Sequence, residues 1–166
     1  MTAENQTCLD EQRTPTVTAG VPAPAQVVAV CLSEEKGVQK TAAQQVETRV
    51  DHGIVGDAHA GVWHRQISLL AQESVEPLKK LLPELAPGAF AENILTRGLT
   101  LHTLPVGTRL RVGAAVLEVT QIGKECHAGC AIRRLTGDCV MPREGIFAKV
   151  VEPGLIRPGD PIQVLP

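Results

Sequence analysis

The stretch Thr108–Gly123, "TRLRVGAAVLEVTQIG", carries the clearest fold signal in the sequence. Two arms, "TRLRV" and "AVLEVTQIG", flank Gly113 and Ala114, and β-branched residues alternate along both arms. Alternation with a period of two is typical of half-buried strands, and a short connection containing glycine favours a hairpin. This stretch therefore predicts two antiparallel strands.

Other segments predict further strands and two helices. The strand candidates are residues 25–32, 44–50, 65–70, 146–154 and 160–166. "AQESVEPLKKLLPEL" (71–85) predicts a helix because its apolar residues recur at spacings of three and four. "HAGCAIRRLTG" (127–137) predicts a short second helix that ends at Gly137. With about seven or eight strands and no βαβ rhythm, we predict a mainly β fold with short helices. Its largely antiparallel sheet closes, or nearly closes, into a β-barrel.

Composition limits the classes of function. The 166 residues, 43% of them hydrophobic, suit one compact domain. Only 2% are aromatic, the net charge is −2 and no long basic run occurs, which argues against nucleic-acid binding. No apolar stretch approaches the roughly 18 residues of a membrane span, and the N-terminus does not resemble a secretory signal. We therefore expect a cytoplasmic protein with no membrane partner.

The chain divides into an arm and a domain. Residues 1–24 are polar, rich in Thr, Ala and Pro, and show no periodicity. Such a composition buries too little apolar surface to offset the entropy of ordering, so we predict a flexible N-terminal arm. Residues 25–166 form the predicted domain.

Three of the five cysteines lie in "GKECHAGCAIRRLTGDCVMPREGIFA" (123–148). In a reducing compartment they indicate metal or thiol chemistry rather than a disulfide scaffold. Cys126, Cys130 and Cys139 are soft ligands, but zinc favours four ligands in paired knuckles, and only one such pair is present. A non-enzymatic binding module stapled by zinc is therefore one open alternative.

Cys126 is the candidate for a reactive thiolate. It precedes the predicted second helix and is close in sequence to Lys124, Arg133 and Arg134. Helix amides and nearby cations lower the pKa of a thiol. A thiolate of this kind is both a nucleophile and a ligand for soft metals.

A second group of polar residues lies in "DHGIVGDAHAGVWHRQ" (51–66). Its carboxylates and imidazoles include Asp57 and His59, and its glycines allow a backbone to approach a ligand closely. Such groups could orient a ligand or shuttle a proton near neutral pH.

Six segments, in this order, resemble MOSC domains, the C-terminal module of molybdenum cofactor sulfurases. They are "HGIVGDAHAG", "RQISLL", "FAENI", "LPVGTRLRVG", "LEVTQIGKEC" and "GIFAKVVEPGLIRPGDPIQV". The resemblance covers residues 25–166 and implies a strand-rich fold around a β-barrel. The cysteine segment is similar to that of small stand-alone bacterial members.

The resemblance implies a role for Cys126 as a sulfur carrier through a persulfide, or as a ligand of molybdenum in a pterin cofactor. It also implies a pyridoxal-phosphate-dependent cysteine desulfurase as sulfur donor, and molybdenum cofactor, a molybdoenzyme or a metal–sulfur centre as acceptor. No pyridoxal-phosphate, Fe–S or flavin domain is recognisable in this chain. A sulfurtransferase or a molybdenum-cofactor-dependent reductase component that needs partner proteins is the alternative, and whether the chain is an enzyme stays open.

The resemblance also suggests residues for cofactor binding. Candidates for the cofactor phosphate are Arg65, Lys124, Arg133, Arg134 and Arg143. Asp57, His59, Glu92 and Asn93 could line the pocket, although a turn held by bonds between side chain and backbone would equally explain the last two. Cys130 and Cys139 could resolve a persulfide, help to hold a metal, or pack.

Overall fold

The computed structural model describes residues 24–125, 131–137 and 139–166. Strands dominate this part of the chain. In order they are β1 (Gln26–Leu32), β2 (Thr41–Ala43), β3 (Val46–Arg49), β4 (Gly53–Ile54), β5 (Ile67–Ala71), β6 (Ile94–Arg97), β7 (Arg109–Val112), β8 (Ala115–Ile122), β9 (Ile146–Glu152), β10 (Leu155–Ile156) and β11 (Ile162–Val164). The helices are α1 (Gln72–Lys79), α2 (Ala131–Thr136) and α3 (Met141–Glu144), with a 3-10 turn at Leu101–Thr103.

The strands form two sheets. The larger has eight strands in the order β11-β7-β8-β9-β5-β6-β1-β2, and the smaller has the order β10-β3-β4. Among the strand pairs of the described residues, only β5 with β6 is parallel. The prediction of a mainly β fold with short helices and a largely antiparallel sheet is confirmed.

The predicted hairpin is present as β7 and β8. Val112 pairs with Ala115 across the turn, and Arg109 pairs with Glu118 further along. Gly113 adopts a φ of +56°, and a Cβ there would collide with the carboxylate of Asp160. The turn therefore depends on a residue without a side chain.

Closure of the sheet into a barrel is not confirmed. A single bridge joins Gln26 in β1 to Pro161, the residue before β11. Two backbone bonds support it, from the Val27 amide to the Asp160 oxygen at 2.9 Å and from the Ile162 amide to the Ala25 oxygen at 2.8 Å. The sheet curls until these elements meet, but the contact is one bridge, whereas closure needs a continuous ladder.

The expectation of no βαβ rhythm is wrong at one place. Strand β5 leads into α1 and returns as β6, which lies parallel to β5 with Leu69 opposite Ile94. Helix α1 also ends earlier than predicted, at Lys79. Val75, Leu78 and Leu85 are buried as the pattern predicted, but Leu81 is 66% exposed because it lies beyond the helix.

Two apolar clusters give β5 its position. Ile67, Leu69 and Ala71 face a core enclosed by the curved sheet, whereas Leu70 on the opposite face packs in a second cluster with residues of α1 and α3. Both faces of β5 are thus buried. In the described residues, no helix has the length and apolar character that would let it cross a membrane.

Candidate functional site

A cavity of about 190 Å³ opens on the face of β5 opposite the main core. Its side chains are of three kinds. The first kind can carry a positive charge: Lys40, His59, Arg65 and Lys124. The second kind is neutral and polar: Ser68 and Asn93. The third kind is apolar: Trp63, Ala91, Met141 and Phe147. No carboxylate lines the cavity in the part of the chain that the structure describes.

A buried ion pair lies at one end of the cavity. Lys40 Nζ donates to Asp57 Oδ2, and the two side chains are 2% and 0% exposed. Three further donors satisfy the Asp57 carboxylate, which are the amides of Ser33 (3.2 Å) and His59 (2.9 Å) and Asn93 Nδ2 (3.0 Å). Burial alone raises the pKa of Asp57, but the bonds from Lys40, His59 and Ser33 outweigh it and hold the pKa below the ordinary value of 3.8.

Asn93 connects this ion pair to the sheet. Its Nδ2 also donates to the Cys31 carbonyl oxygen at 3.1 Å, and its Oδ1 accepts from the Ser68 amide and the Ser68 hydroxyl, both at 3.1 Å. The amide of Asn93 bonds to Ser68 as well. Asn93 is therefore tied to β1 and β5 at once, which fixes its side chain beside the cavity.

Glu92 does not line the cavity, but it binds the Gly88 segment, whose backbone contacts Lys40. Its carboxylate accepts from the amides of Gly88 (2.6 Å) and Phe90 (3.0 Å), and it is 1% exposed. Gly88 O in turn accepts from the Lys40 amide at 3.0 Å, and a Cβ on Gly88, whose φ is +89°, would collide with the Lys40 carbonyl. The alternative of a turn held by side chain–backbone bonds thus describes Glu92, whereas Asn93 lines the cavity.

His59 borders the cavity with a ring that is a third exposed. Its Nδ1 lies 3.3 Å from Lys40 Nζ and 3.5 Å from Asp57 Oδ1. Burial lowers the pKa of His59 from 6.5, the charges of Lys40 and Lys124 lower it further, and Asp57 opposes them. The ring is thus held in its neutral form at pH 7.

Arg65 lies between two aromatic rings. Its guanidinium carbon is 4.9 Å from the centroid of Trp63 and 5.7 Å from that of Phe147. The Trp63 indole is held in turn by a bond from its Nε1 to the His59 carbonyl oxygen at 2.9 Å. Arg65 Nε is buried and has no hydrogen-bond partner in the described structure. Because a buried guanidinium donor without a partner is costly, this atom points to an acceptor that a ligand would supply.

Lys124 reaches the cavity from the end of β8. Gly123 turns the chain there with a φ of +65° and donates to the Gly145 carbonyl oxygen at 2.7 Å. A Cβ at Gly123 would collide with the Pro142 carbonyl. Lys124 Nζ then lies 5.9 Å from the centroid of the Phe147 ring. The "GKEC" segment therefore places one cation at the cavity, two residues before Cys126 in sequence.

The other predicted site residues have different positions. Arg133 and Arg134 are exposed on α2, Arg143 is exposed on α3, and none of the three lines the cavity. Cys139 is 8% exposed and belongs to the second apolar cluster. Cys126 and Cys130 lie outside the described residues, as do residues 1–23 of the predicted arm (1–24). Within the described part, no group of three or more His, Cys, Asp or Glu side chains could hold a metal ion.

Cys31 is a further cysteine of the described residues and is a free thiol. It is fully buried in β1, and burial raises the pKa of its thiol to about 12, with Glu92 adding to the rise. A thiol with this pKa is protonated and unreactive at neutral pH.

Sequence reasoning missed six of the residues that line the cavity: Lys40, Trp63, Ser68, Ala91, Met141 and Phe147. Lys40 and Trp63 lie in irregular segments, and no periodic pattern marks them. Ser68 carried a usable signal, because it is the one polar residue in the otherwise apolar run "ISLLA" of β5. A polar group inside a buried strand requires a partner, which here is Asn93.

Comparison with known proteins identifies the family to which the chain belongs. A model of the MOSC domain matches residues 56–163, more than half of the chain. The chain therefore belongs to the MOSC domain family, which is linked to molybdenum cofactor. The matched region contains every cavity residue except Lys40. A search of curated proteins found no match.

Solved structures share the fold at low sequence identity. The YuaD protein from Bacillus subtilis superposes with a TM-score of 0.70 at 21% identity, over 84% of this chain and 94% of that one. YiiM from Geobacillus stearothermophilus gives 0.62 at 19% identity, over 86% and 76% of the two chains. YiiM from Escherichia coli gives 0.57 at 21% identity, over 86% and 69%. These similarities support the fold.

Proposed function

We propose that this protein binds molybdenum cofactor at the cationic cavity and that Cys126 carries sulfur as a persulfide or ligates the metal. The observation that carries the proposal is the buried Nε of Arg65, which has no hydrogen-bond partner and lies in a cavity that Lys124 also lines. Among the described residues, no carboxylate lines this cavity. Such a site suits an anionic group that only accepts hydrogen bonds. A phosphate of a pterin cofactor is a group of this kind.

The size of the cavity limits which part of the cofactor it holds. Cavities that enclose whole ligands measure about 300–1,000 Å³, and this one measures about 190 Å³. The fit is therefore to the phosphate end, with Arg65 and Lys124 binding it and Asn93 and Ser68 shaping the wall. When bound, the cofactor would supply a metal that binds sulfur or transfers electrons.

The position of Lys124 in the sequence relates the cavity to Cys126. Two residues of chain span no more than about 7 Å between Cα atoms, which supports a role for the Cys126 thiolate on the ligand that Lys124 would bind. In the carrier role, the Cys126 thiolate attacks the outer sulfur of a donor persulfide. The S–S bond of the donor breaks, its thiolate leaves with the electron pair, and Cys126 retains the sulfur. A cysteine desulfurase is the proposed donor.

Sulfur loading tests the carrier role. The full chain is incubated with cysteine and a cysteine desulfurase, and mass spectrometry locates the added sulfur. We expect it on Cys126 and expect Cys126→Ser to remain unloaded, while Cys130→Ser and Cys139→Ser load at the level of the wild type. Cys31 is an internal control because its thiol pKa of about 12 keeps it unreactive. Equal loading of Cys126→Ser and wild type would reject the carrier role.

Cofactor content tests the binding role and separates the alternatives. Protein purified from its own host is analysed for molybdenum, zinc and pterin. Molybdenum and pterin near one per chain support cofactor binding, and their loss in Arg65→Met but not in Arg134→Met assigns them to the cavity. Zinc near one per chain, with unfolding on chelation, would instead indicate a zinc-stapled module. If the cofactor-loaded protein reduces N-hydroxylated compounds only after partner proteins are added, the chain is a component of a reductase.

A further inference from the structure

The two ring nitrogens of His59 have different surroundings. Nδ1 faces the buried ion pair, 3.3 Å from Lys40 Nζ and 3.5 Å from Asp57 Oδ1. No hydrogen bond joins Nε2 to a residue of the described structure, and the ring is a third exposed where it borders the cavity. Nδ1 therefore contacts the buried ion pair, and Nε2 is the nitrogen available to a ligand.

Lys40 is an ammonium in this arrangement. Asp57 accepts four hydrogen bonds, and these stabilise its negative charge although its side chain is 0% exposed. A buried carboxylate requires a counter-charge, and Lys40 Nζ is in direct contact with it. An ammonium has donors only, so toward His59 it can only donate.

A proton on Nδ1 would thus point at the Lys40 ammonium. The competing acceptor, Asp57 Oδ1, is 3.5 Å away and already accepts from the His59 amide at 2.9 Å. The contact with Lys40 at 3.3 Å is the shorter one and is incompatible with a second proton between the two nitrogens. We propose that Lys40 is a positioning residue that fixes His59 as the neutral tautomer with its proton on Nε2, so that His59 joins Arg65 and Lys124 as a hydrogen-bond donor toward a ligand in the cavity.

This tautomer defines the chemical class of the ligand group. The donors are Arg65, Lys124 and His59 Nε2–H, while Asn93 Oδ1 is occupied by its two bonds from Ser68. A site of donors selects a fully deprotonated oxyanion, such as a phosphate monoester dianion or a sulfate-like dianion, over a group that must donate a proton. For the identity of the natural ligand this inference rests on the proposed function, whereas the tautomer is a property of the chain itself.

The arrangement also predicts how binding depends on pH. The charged groups that face His59 are Lys40, Asp57 and Lys124. Because the pKa of His59 is lowered in the fold, the ring stays neutral to a lower pH than an ordinary histidine with a pKa of 6.5. Unfolded chains take up that proton first, so the neutral ring stabilises the fold above 6.5 and loses this effect as the pH falls through the folded pKa.

The direct test is the imidazole nitrogen spectrum of the full chain labelled with nitrogen-15. The signals of His59 are identified among those of the five histidines because they are missing from the spectrum of His59→Gln. We expect a protonated Nε2 and an accepting Nδ1 in the wild type, a mixture of tautomers with a higher pKa in Lys40→Met, and recovery in Lys40→Arg. An Nδ1–H tautomer in the wild type would overturn the proposal, and this result needs no variant of Lys40 to fold.

Sulfate tests the ligand class, because it stays a dianion throughout the range. Trp63 is the one tryptophan of the sequence and reports binding by its fluorescence. Between about pH 8 and pH 7 we expect the sulfate affinity to change by less than about twofold, since only a charged imidazolium beside the anion would raise it by about tenfold or more. A tenfold rise overturns the neutral His59, and no binding of sulfate overturns the oxyanion class. Arg134→Met, at an exposed position outside the cavity, should leave both measurements unchanged. Because neither measurement involves sulfur loading, a failure of sulfur loading is distinguishable from a failure here.

Discussion

Two carboxylates of this chain each lie beside two groups that can carry positive charge, and their surroundings differ. Asp57 contacts Lys40 and His59, with the Lys40 and Asp57 side chains 2% and 0% exposed. On the surface of the sheet, Glu118 bonds to Lys149 at 2.9 Å and Arg109 at 3.3 Å, and the two basic side chains are 46% and 54% exposed. Only the buried group has backbone amides and an asparagine that fix its carboxylate.

The difference shows what burial adds to an ion pair. At the surface, water replaces a lost partner, so the ion pair has no fixed geometry and its net contribution to stability is small. In the interior, each charge depends on a fixed partner, and losing one leaves the other uncompensated. The buried group is therefore suited to holding His59 in one protonation state, whereas the surface group is suited to solubility.

Removal of Lys40 should have the largest effect on stability. Lys40→Met leaves Asp57 buried without its counter-charge, and we expect the free energy of unfolding to fall by about 3–5 kcal/mol. Urea unfolding followed by Trp63 fluorescence measures it. The matched control is Lys149→Met at the surface, for which we expect less than about 1 kcal/mol.

A double variant sharpens this prediction. If the cost arises from the uncompensated carboxylate, Lys40→Met with Asp57→Asn should be less destabilised than the sum of the two single variants. A loss in Lys40→Met no larger than that in Lys149→Met would show that the two groups do not differ as described.

Glu92→Gln should have an intermediate effect. The two oxygens of Glu92 accept from Gly88 and Phe90, and a glutamine offers one acceptor and sets its NH₂ against the other amide. We expect a loss of about 1–3 kcal/mol in the same unfolding experiment. Burial raises the pKa of Glu92 against these amide bonds, so the folded chain takes up the proton first and the wild type gains stability as the pH falls through that raised pKa. The loss in Glu92→Gln should therefore increase, not diminish, over that range.

Glu73→Gln is the matched control for Glu92. Glu73 accepts one hydrogen bond, from the Gly98 amide at 2.6 Å at an exposed position, and a glutamine keeps an oxygen for it. We expect a change of less than about 0.5 kcal/mol. Equal losses in the two variants would mean that the second acceptor of Glu92 is not required.

The contrast between the surface group at Glu118 and the buried group at Asp57 also explains which contacts the sequence could predict. Once alternation defined the hairpin, strand register placed Arg109 opposite Glu118. The position of Lys149 opposite Glu118 depends on the pairing of β8 with β9, which the sequence did not predict. Lys40 lies in an irregular segment, and its contact with Asp57 joins residues 17 positions apart that no periodic pattern relates. The resemblance indicated Asp57, His59, Arg65, Asn93 and Lys124 as pocket residues, but not the partners that fix them. Barrel closure and the return of β6 parallel to β5 depend on long-range pairing, which local patterns do not encode.

Glu118→Gln, at the surface ion pair, should have a small effect. The hydrogen bond from Lys149 holds the pKa of Glu118 below its ordinary value of 4.5, so the unfolded chain takes up that proton first. The stabilisation by Glu118 is therefore present above pH 4.5 and is lost as the pH falls through the folded pKa. We expect a loss of less than about 1 kcal/mol at neutral pH, reduced further by molar salt, which screens exposed charges over a few ångströms. Urea unfolding of this variant and of Lys40→Met, each at low and high salt, completes the comparison. Salt should leave the loss in Lys40→Met nearly unchanged, because the solvent does not reach its partner, and equal salt sensitivity of the two would contradict the burial argument.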